Sequence, residues 1–363
     1  MPRSPSVSAP LEQLIREAIE REGGWLPFDR FMALALYAPG LGYYTSPGRL
    51  FGALPESGSD FITAPELSPW FGRALGRQVQ QGLVASRSRE VWEFGAGSGA
   101  LADQLLGALG DAVDTYHIVD VSGALRDRQA VRLRAHAGRV CWHDSLPASM
   151  QGVVVGNEVL DAMPVQLVHF DGTAWHERGV AAAADGFEWA DRATTLRAPF
   201  EADPSGGTTT EVHPQAQAFI ATLAQRLERG AVFFIDYGFP QAEYFHPQRT
   251  QGTLMCHRAH RSDADPLLDV GRKDITAHVD FTGIALAGQG QGLEVLGYTS
   301  QAHFLINCGL LDLLKAAGLR ERANAQKLLT EHEMGELFKV IGFAKGCSFD
   351  ALGFAHGDRT YTL

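Results

Sequence analysis

The chain has 363 residues, 45% of them hydrophobic and 20% charged, a composition that suits one large core or two moderate ones and argues against disorder. Its 31 basic and 42 acidic residues leave a net charge of -11, which disfavours general binding to nucleic acid or to an anionic membrane surface. Cys141, Cys256, Cys308 and Cys347 lie far apart with no C-x-x-C pair, suggesting neither a disulfide framework nor a zinc cluster, and no apolar run approaches the roughly 18 residues of a membrane span. A cytoplasmic location is expected.

Leu11, Leu14, Ile15, Ala18 and Ile19 recur at helical spacing, and positions 28–37 form a second apolar helical stretch closed by Ala38, Pro39 and Gly40. Glycine and proline crowd positions 40–65, predicting an irregular loop long enough to act as a lid. Ser68 and Pro69 supply the cap and first turn of a helix that carries Phe71, Leu75, Val79 and Leu83 on one side. From position 89 strand-like and helix-like segments alternate: 91–94, 101–109, 116–120, 125–135, 139–142 and 152–156. Alternation of this kind predicts a parallel α/β sheet covered by helices.

Positions 165–212 read as a small antiparallel insertion, with turn signals at Asp171-Gly172 and Asp185-Gly186. A helix over 215–228, a buried strand over 231–235 and a turn at Asp236, Tyr237 and Gly238 follow. A second insertion occupies 239–285. The chain then offers a strand at 293–298, helices at 304–317 and 323–329, and a closing strand at 338–343. The division expected is a helical region and lid over 1–85 and a core over 86–363. Oligomeric state has no signature in the sequence.

Between the first strand and helix of the alternating part stands Glu93-Phe94-Gly95-Ala96-Gly97-Ser98-Gly99. Glycines there let the backbone turn tightly beside a ligand, and the helix that follows points its positive N-terminus at the site. Gly95, Gly97 and Ala100 also fit a dinucleotide fingerprint, so the loop by itself suits an NAD-dependent dehydrogenase as well as an S-adenosylmethionine (SAM) methyltransferase. Glu93 favours the second, because a carboxylate at the strand end suits a ligand carrying sulfonium and ammonium groups.

Acids recur at the later strand ends. Asp120 is placed to accept from ribose hydroxyls, and Asp144 with Ser145 to meet an adenine amino group. Asn157, Glu158 and Asp161 follow the fourth strand, where they face the transferred group. Glu158 and Asp161 form a carboxylate pair suited to a guanidinium, through paired charge-assisted hydrogen bonds. A SAM-binding protein without catalysis would not need that pair. His257, His260, His278 and Asp280 offer metal-ligand types, but on a loop without helical periodicity, and no metal is expected.

With these residues assembled, the chain resembles the MidA-like family of SAM-dependent methyltransferases. The resemblance rests on segments 37–44, 58–68, 93–99, 119–122, 157–165, 235–238 and 274–281, and so spans most of the chain. It implies a seven-stranded, Rossmann-like methyltransferase sheet with an N-terminal helical region and β-rich insertions. It also implies that Thr63, Pro65 and Glu66 belong to the wall over the cofactor, and that Tyr237 and His278 line the substrate side. Mitochondrial members methylate an arginine of a respiratory complex I subunit, which implies a protein substrate of that type; given the net charge of -11, no nucleic-acid or membrane partner is expected. Those relatives tend to carry Pro and Arg where this chain has Ala96 and Ser98, and His in place of Asn157.

Overall fold

The computed structural model of the chain describes residues 8–46, 62–120, 123–200, 204–258 and 261–363. Helices α1 (Ser8–Arg21) and α2 (Phe28–Tyr37) flank a two-residue strand β1 (Leu26–Pro27), and a short α3 (Ala64–Leu67) leads into α4 (Pro69–Ser86). The start of α4 follows from its sequence: the Ser68 hydroxyl accepts from the Trp70 N–H at 3.3 Å, and Pro69 sits where no N–H is needed. The alternating part is β2 (Glu90–Phe94), α5 (Ala100–Leu109), β3 (Thr115–Val119), α6 (Gly123–Arg132), β4 (Val140–His143) and β5 (Met150–Asn157). Strands β6 (Gln166–Phe170), β7 (Trp175–Ala183), β8 (Gly186–Ala193) and β9 (Thr208–Val212) form the antiparallel insertion. The core resumes with α7 (Pro214–Arg226) and β10 (Leu227–Phe239).

A second excursion holds α8 (Gln241–Tyr244), a three-stranded sheet of β11 (Met255–Arg258), β12 (Arg261–Asp263) and β13 (Asp274–Thr276), and the short β14 (Val279–Asp280). The chain closes with α9 (Phe281–Gln289), β15 (Glu294–Ser300), α10 (Gln301–Asn307), α11 (Leu310–Leu313), α12 (Leu319–Lys327) and β16 (Phe338–Lys345). No helix among the described residues is long and apolar enough to cross a membrane.

The main sheet runs β4-β3-β2-β5-β10-β16-β15, with β16 antiparallel to both its neighbours and the pairs from β4 to β10 parallel. Strand β14 joins the end of β10, so among the described residues the sheet has eight strands, seven of them on one path, where seven were expected. The order reverses between β2 and β5. At such a switch point the loops leaving the two strands part and open a crevice beyond their carboxyl ends. The glycine turn after β2 and the Asn157–Glu158 turn after β5 both open onto it.

Alternation along the strands feeds two apolar layers. Val91, Val153, Phe233 and Ile235 face one side, under Phe71, Leu75, Val79 and Leu83 of α4 and Leu105 of α5. Trp92, Phe94, Val154, Val232 and Phe234 face the other, under Ile220 and Leu223 of α7 and Phe281 and Ile284 of α9. Burial on both faces is what a mostly parallel sheet needs, and truncating a side chain such as the fully buried Phe233 to alanine would cost about 3–5 kcal/mol. Helix α4 approaches the sheet through Gly82, where a Cβ would come 2.8 Å from Val153 Cγ2.

The first two helices pack elsewhere. Leu11, Ile15, Phe31, Met32 and Leu36 share a core with Leu167 and Val180 of the antiparallel insertion and with Cys256 and Ile275 of the second excursion, and β1 pairs with β7. The buried Glu211 on β9 ties the second excursion down, accepting from the N–H groups of Thr253 and Leu254, both at 2.8 Å, and from Tyr244 Oη at 2.8 Å.

Three elements differ from the sequence expectation. The turn foreseen at Asp236, Tyr237 and Gly238 remains in β10, because β16 pairs with β10 as far as Tyr237 and β14 pairs with it at Gly238 and Phe239. The helix foreseen over 304–317 breaks at Gly309, whose φ is 78°. Helix α9 was not foreseen; Asp280 caps it by accepting from the Gly283 N–H at 3.1 Å. Of the lid foreseen over 40–65, positions 47–61, Asp60 and Phe61 among them, lie outside the described residues.

Candidate active site

The crevice at the switch point is a cavity of about 580 Å³. Its floor on the β2 side is the glycine loop, with Gly95, Gly97 and Gly99 at φ of 64°, 52° and 82°. These left-handed values strain any residue with a Cβ, and a Cβ at Gly95 would also meet Val159 Cγ2 at 3.0 Å. Phe94, Val119, Leu125, Leu146 and Phe219 give this end an apolar lining.

Asp120 closes the same end. It is 9% exposed, and its Oδ2 accepts from Gln129 Nε2 at 2.9 Å. The same Gln129 nitrogen donates to the Gly97 carbonyl at 3.0 Å, and its Oε1 accepts from Trp142 Nε1 at 3.0 Å. One fully buried glutamine thus joins the glycine loop, the end of β3 and β4. Asp144 and Ser145 line the cavity at its exposed rim, where Asp144 pairs with Arg126.

The other end gathers carboxylates. Asn157 at the end of β5 and Glu158 and Asp161 in the turn after it line that end, joined by Tyr37, Tyr44, Tyr237, Asp274 and Thr276. Asn157 Nδ2 donates to Glu158 Oε1 at 2.8 Å, while the buried Asn157 Oδ1 has no hydrogen-bond partner among the described residues. Tyr237 Oη lies 3.5 Å from Glu158 Oε2, the Ala64 N–H bonds the same carboxyl, and Tyr44 Oη donates to Asp274 Oδ1 at 2.8 Å. Among the described residues, no lysine or arginine lines the cavity.

Burial and mutual repulsion therefore dominate the electrostatics. Burial, then the charge of Asp236, pushes Glu158 up to about 8. Asp161 stands well above the usual carboxylate range, through burial and the charges of Asp236, Glu158 and Asp274. Asp236 is pushed up by burial to about 7 although four backbone N–H groups oppose the shift. A site of this kind favours a cation, which would restore ionisation to its carboxyls.

Five residues expected at the site do not line the cavity. Glu93 is one: alternation along β2 sends it to the face of Val91, away from Phe94, and its carboxylate accepts from Tyr116 Oη at 2.7 Å in the core. Burial raises it to about 8 against that hydrogen bond. Gly99 caps α5 beneath the loop. Thr63 lines the cavity, but Pro65 and Glu66 do not; Glu66 instead bonds Ser98 of the glycine loop and Arg132 of α6, the latter at 2.6 Å. His278 packs against Tyr237 and Phe239, and burial lowers it to about 4.

Sequence reasoning missed Gln129, Tyr37, Tyr44 and Asp274. The last three lay within the segments that carried the resemblance; Gln129 had no such signal. Among the described residues no group of three or more His, Cys, Asp or Glu is arranged to hold a metal ion, and His260 lies outside them.

The positive-φ glycine cradle, the apolar wall, the buried carboxylate of Asp120 and an Asn157 Oδ1 without a partner among the described residues fit a nucleoside ligand with a charged tail. Residues 74–299 match a family of S-adenosyl-L-methionine-dependent methyltransferases. The fold is similar to the crystal structure of a superfamily member from Burkholderia thailandensis bound to S-adenosyl-homocysteine, with 48% identity, a TM-score of 0.94 and coverage of 100% of both chains. Among curated proteins, the mitochondrial protein arginine methyltransferase NDUFAF7 of Xenopus laevis is 29% identical over 93% of this chain and 84% of its own. That of Mus musculus is 30% identical over 86% and 77%. The chain therefore belongs to the MidA-like family of S-adenosyl-L-methionine-dependent methyltransferases, with S-adenosyl-L-methionine as its cofactor.

Proposed function

We propose that the chain methylates a guanidinium nitrogen of an arginine in a protein substrate of the respiratory complex I type. The observation that carries this reading is the convergence of Glu158 and Asp161 at one end of the cavity, with no lysine or arginine among its described lining residues. A carboxylate pair makes two parallel charge-assisted hydrogen bonds to a guanidinium and gives it both position and orientation. The similarity to curated arginine methyltransferases over most of the chain supports the same substrate class.

The residues assigned to the cofactor are the Gly95–Gly99 loop, Asp120 for the ribose hydroxyls, Asp144 and Ser145 for the adenine amino group, and Asn157 for the charged tail. Glu66 acts through Ser98 and holds α3, with Thr63 and Pro65, over the glycine loop. When bound, the cofactor supplies an electrophilic methyl on sulfur. The protein's part is then alignment, exclusion of water and management of one proton. Glu158 and Asp161 fix the acceptor nitrogen, and Tyr237 and His278 form the wall behind Glu158. The proton lost from the guanidinium passes to this carboxyl cluster, whose raised affinity for protons suits that task.

The test is incubation with methyl-labelled SAM and a lysate of the source organism, with the labelled residue mapped by mass spectrometry. Label on a protein arginine is expected. Label on a small molecule or on another residue type would refute the assignment.

A further inference from the structure

The turn that carries Glu158 is held in an unfavourable backbone conformation. Strand β5 pairs with β10 up to Asn157, opposite Ile235, and the Glu158 N–H still donates to the Ile235 carbonyl at 2.9 Å. Glu158 then adopts a φ of 55°, one of three non-glycine residues among those described with a positive value. A left-handed residue with a side chain is disfavoured and persists only where its surroundings over-determine it.

What over-determines it here is a side chain from the neighbouring strand. After Glu158 the backbone turns so that three successive N–H groups point the same way, as at the start of a helix, where donors have no intrachain partner. All three converge on Asp236 Oδ2: Val159 at 3.0 Å, Leu160 at 2.8 Å and Asp161 at 3.3 Å. The other oxygen, Oδ1, accepts from the Tyr237 N–H at 2.9 Å. Asp236 is fully buried and does not line the cavity, so it cannot touch cofactor or acceptor. Its four bonds are backbone bonds, spent on the shape of one turn.

We infer that Asp236 is a positioning residue: its carboxylate gathers the N–H groups of residues 159–161 and thereby holds the strained turn that presents Glu158 to the acceptor. This rests on the reading of Glu158 as an acceptor-binding carboxylate. It adds an electrostatic consequence. Glu158 is faced by Asp236 and Tyr237 from β10, Asp161 from its own turn, Asp274 from β13 and the Ala64 N–H from α3; the charge of Asp236 is the largest influence raising it after burial. Removing that charge lowers the pH at which Glu158 ionises, an effect that a purely structural clamp would not produce.

Two variants separate geometry from charge. Asp236→Asn keeps an acceptor oxygen but loses the charge and turns an amide toward a backbone donor. Asp236→Glu keeps the charge and shifts the carboxylate by one methylene. Three measurements apply to each: amide hydrogen exchange by peptide, S-adenosyl-homocysteine affinity by calorimetry, and the rate of label transfer from SAM into source lysate across pH. Both variants are expected to speed exchange in residues 158–162 at least tenfold, to leave residues 96–101 unchanged, and to hold affinity within about threefold. Label transfer should fall at least tenfold in both, with the rising limb of its pH profile moved to lower pH only in Asp236→Asn.

Unchanged exchange in residues 158–162, or fast exchange there with normal transfer, would overturn the inference. If Asp236→Asn fails to fold, Asp236→Glu still decides through its exchange and transfer. If the wild-type protein labels no arginine, the functional reading fails by itself, and exchange together with affinity still judges the positioning role.

Discussion

Gln129 Nε2 lies 2.9 Å from Asp120 Oδ2 and 3.0 Å from the Gly97 carbonyl, so one amide group couples the end of β3 to the glycine loop. Asp120 is thereby aimed before any ligand arrives. Gln129→Leu keeps the approximate volume but removes a donor from Asp120, a donor from the Gly97 carbonyl and the acceptor of Trp142 Nε1. A lost hydrogen bond to a charged group is worth about 1.5–3 kcal/mol, so affinity for S-adenosyl-homocysteine should fall roughly tenfold or more in calorimetry. Affinity equal to wild type would remove Gln129 from the site.

Glu93 gives a prediction about stability. Its folded-state value is raised to about 8 by burial, so it is protonated in both folded and unfolded states well below pH 4.5. Its contribution to stability is full there and is lost as pH rises through about 8, because the folded state must then bury a charge or keep binding a proton. Glu93→Gln mimics the neutral acid and still accepts from Tyr116 Oη. In denaturant titrations its advantage over wild type should grow by about 2–4 kcal/mol between pH 4.5 and pH 9. A gap that does not change with pH would contradict the burial argument. Since Glu93 does not line the cavity, cofactor affinity at pH 6 should move by less than about threefold.

The Glu66–Arg132 pair bridges α3 to α6 beside the glycine loop, with Ser98 between them. The pair is partly exposed, so its share of global stability should be below about 1 kcal/mol. Its effect should appear in ligand exchange. Arg132→Ala is expected to raise the dissociation rate of S-adenosyl-homocysteine about three- to tenfold in stopped flow, and added salt should narrow the difference. Equal rates at low salt would mean that α3 does not depend on this pair.

Much of this architecture was legible in the sequence because local signals agreed with the tertiary ones. The glycine triplet, the acids at the strand ends and the alternating segments from 89 to 156 lead directly to the crevice between β2 and β5. The failures share a cause. Glu93 and Phe94 are adjacent in sequence but face opposite layers, and which of the two faces the ligand depends on the whole sheet. Asp236 looked like a turn residue because the reach of β10 is set by its partners β16 and β14, whose pairing leaves no local trace. Gln129 sits on a polar helix, and its own burial comes from the glycine loop and Trp142, contacts that leave no local trace.

If Glu158 holds the acceptor and not the cofactor, as proposed, the Glu158→Gln variant separates the two roles. The substitution keeps size and a hydrogen bond with Asn157 while removing the charge that a guanidinium would need. The measurement pairs S-adenosyl-homocysteine titration with arginine labelling from methyl-labelled SAM in source lysate. Affinity within about threefold of wild type and labelling reduced at least a hundredfold are expected. Normal labelling in Glu158→Gln, or loss of cofactor affinity equal to the loss of labelling, would contradict the proposed role.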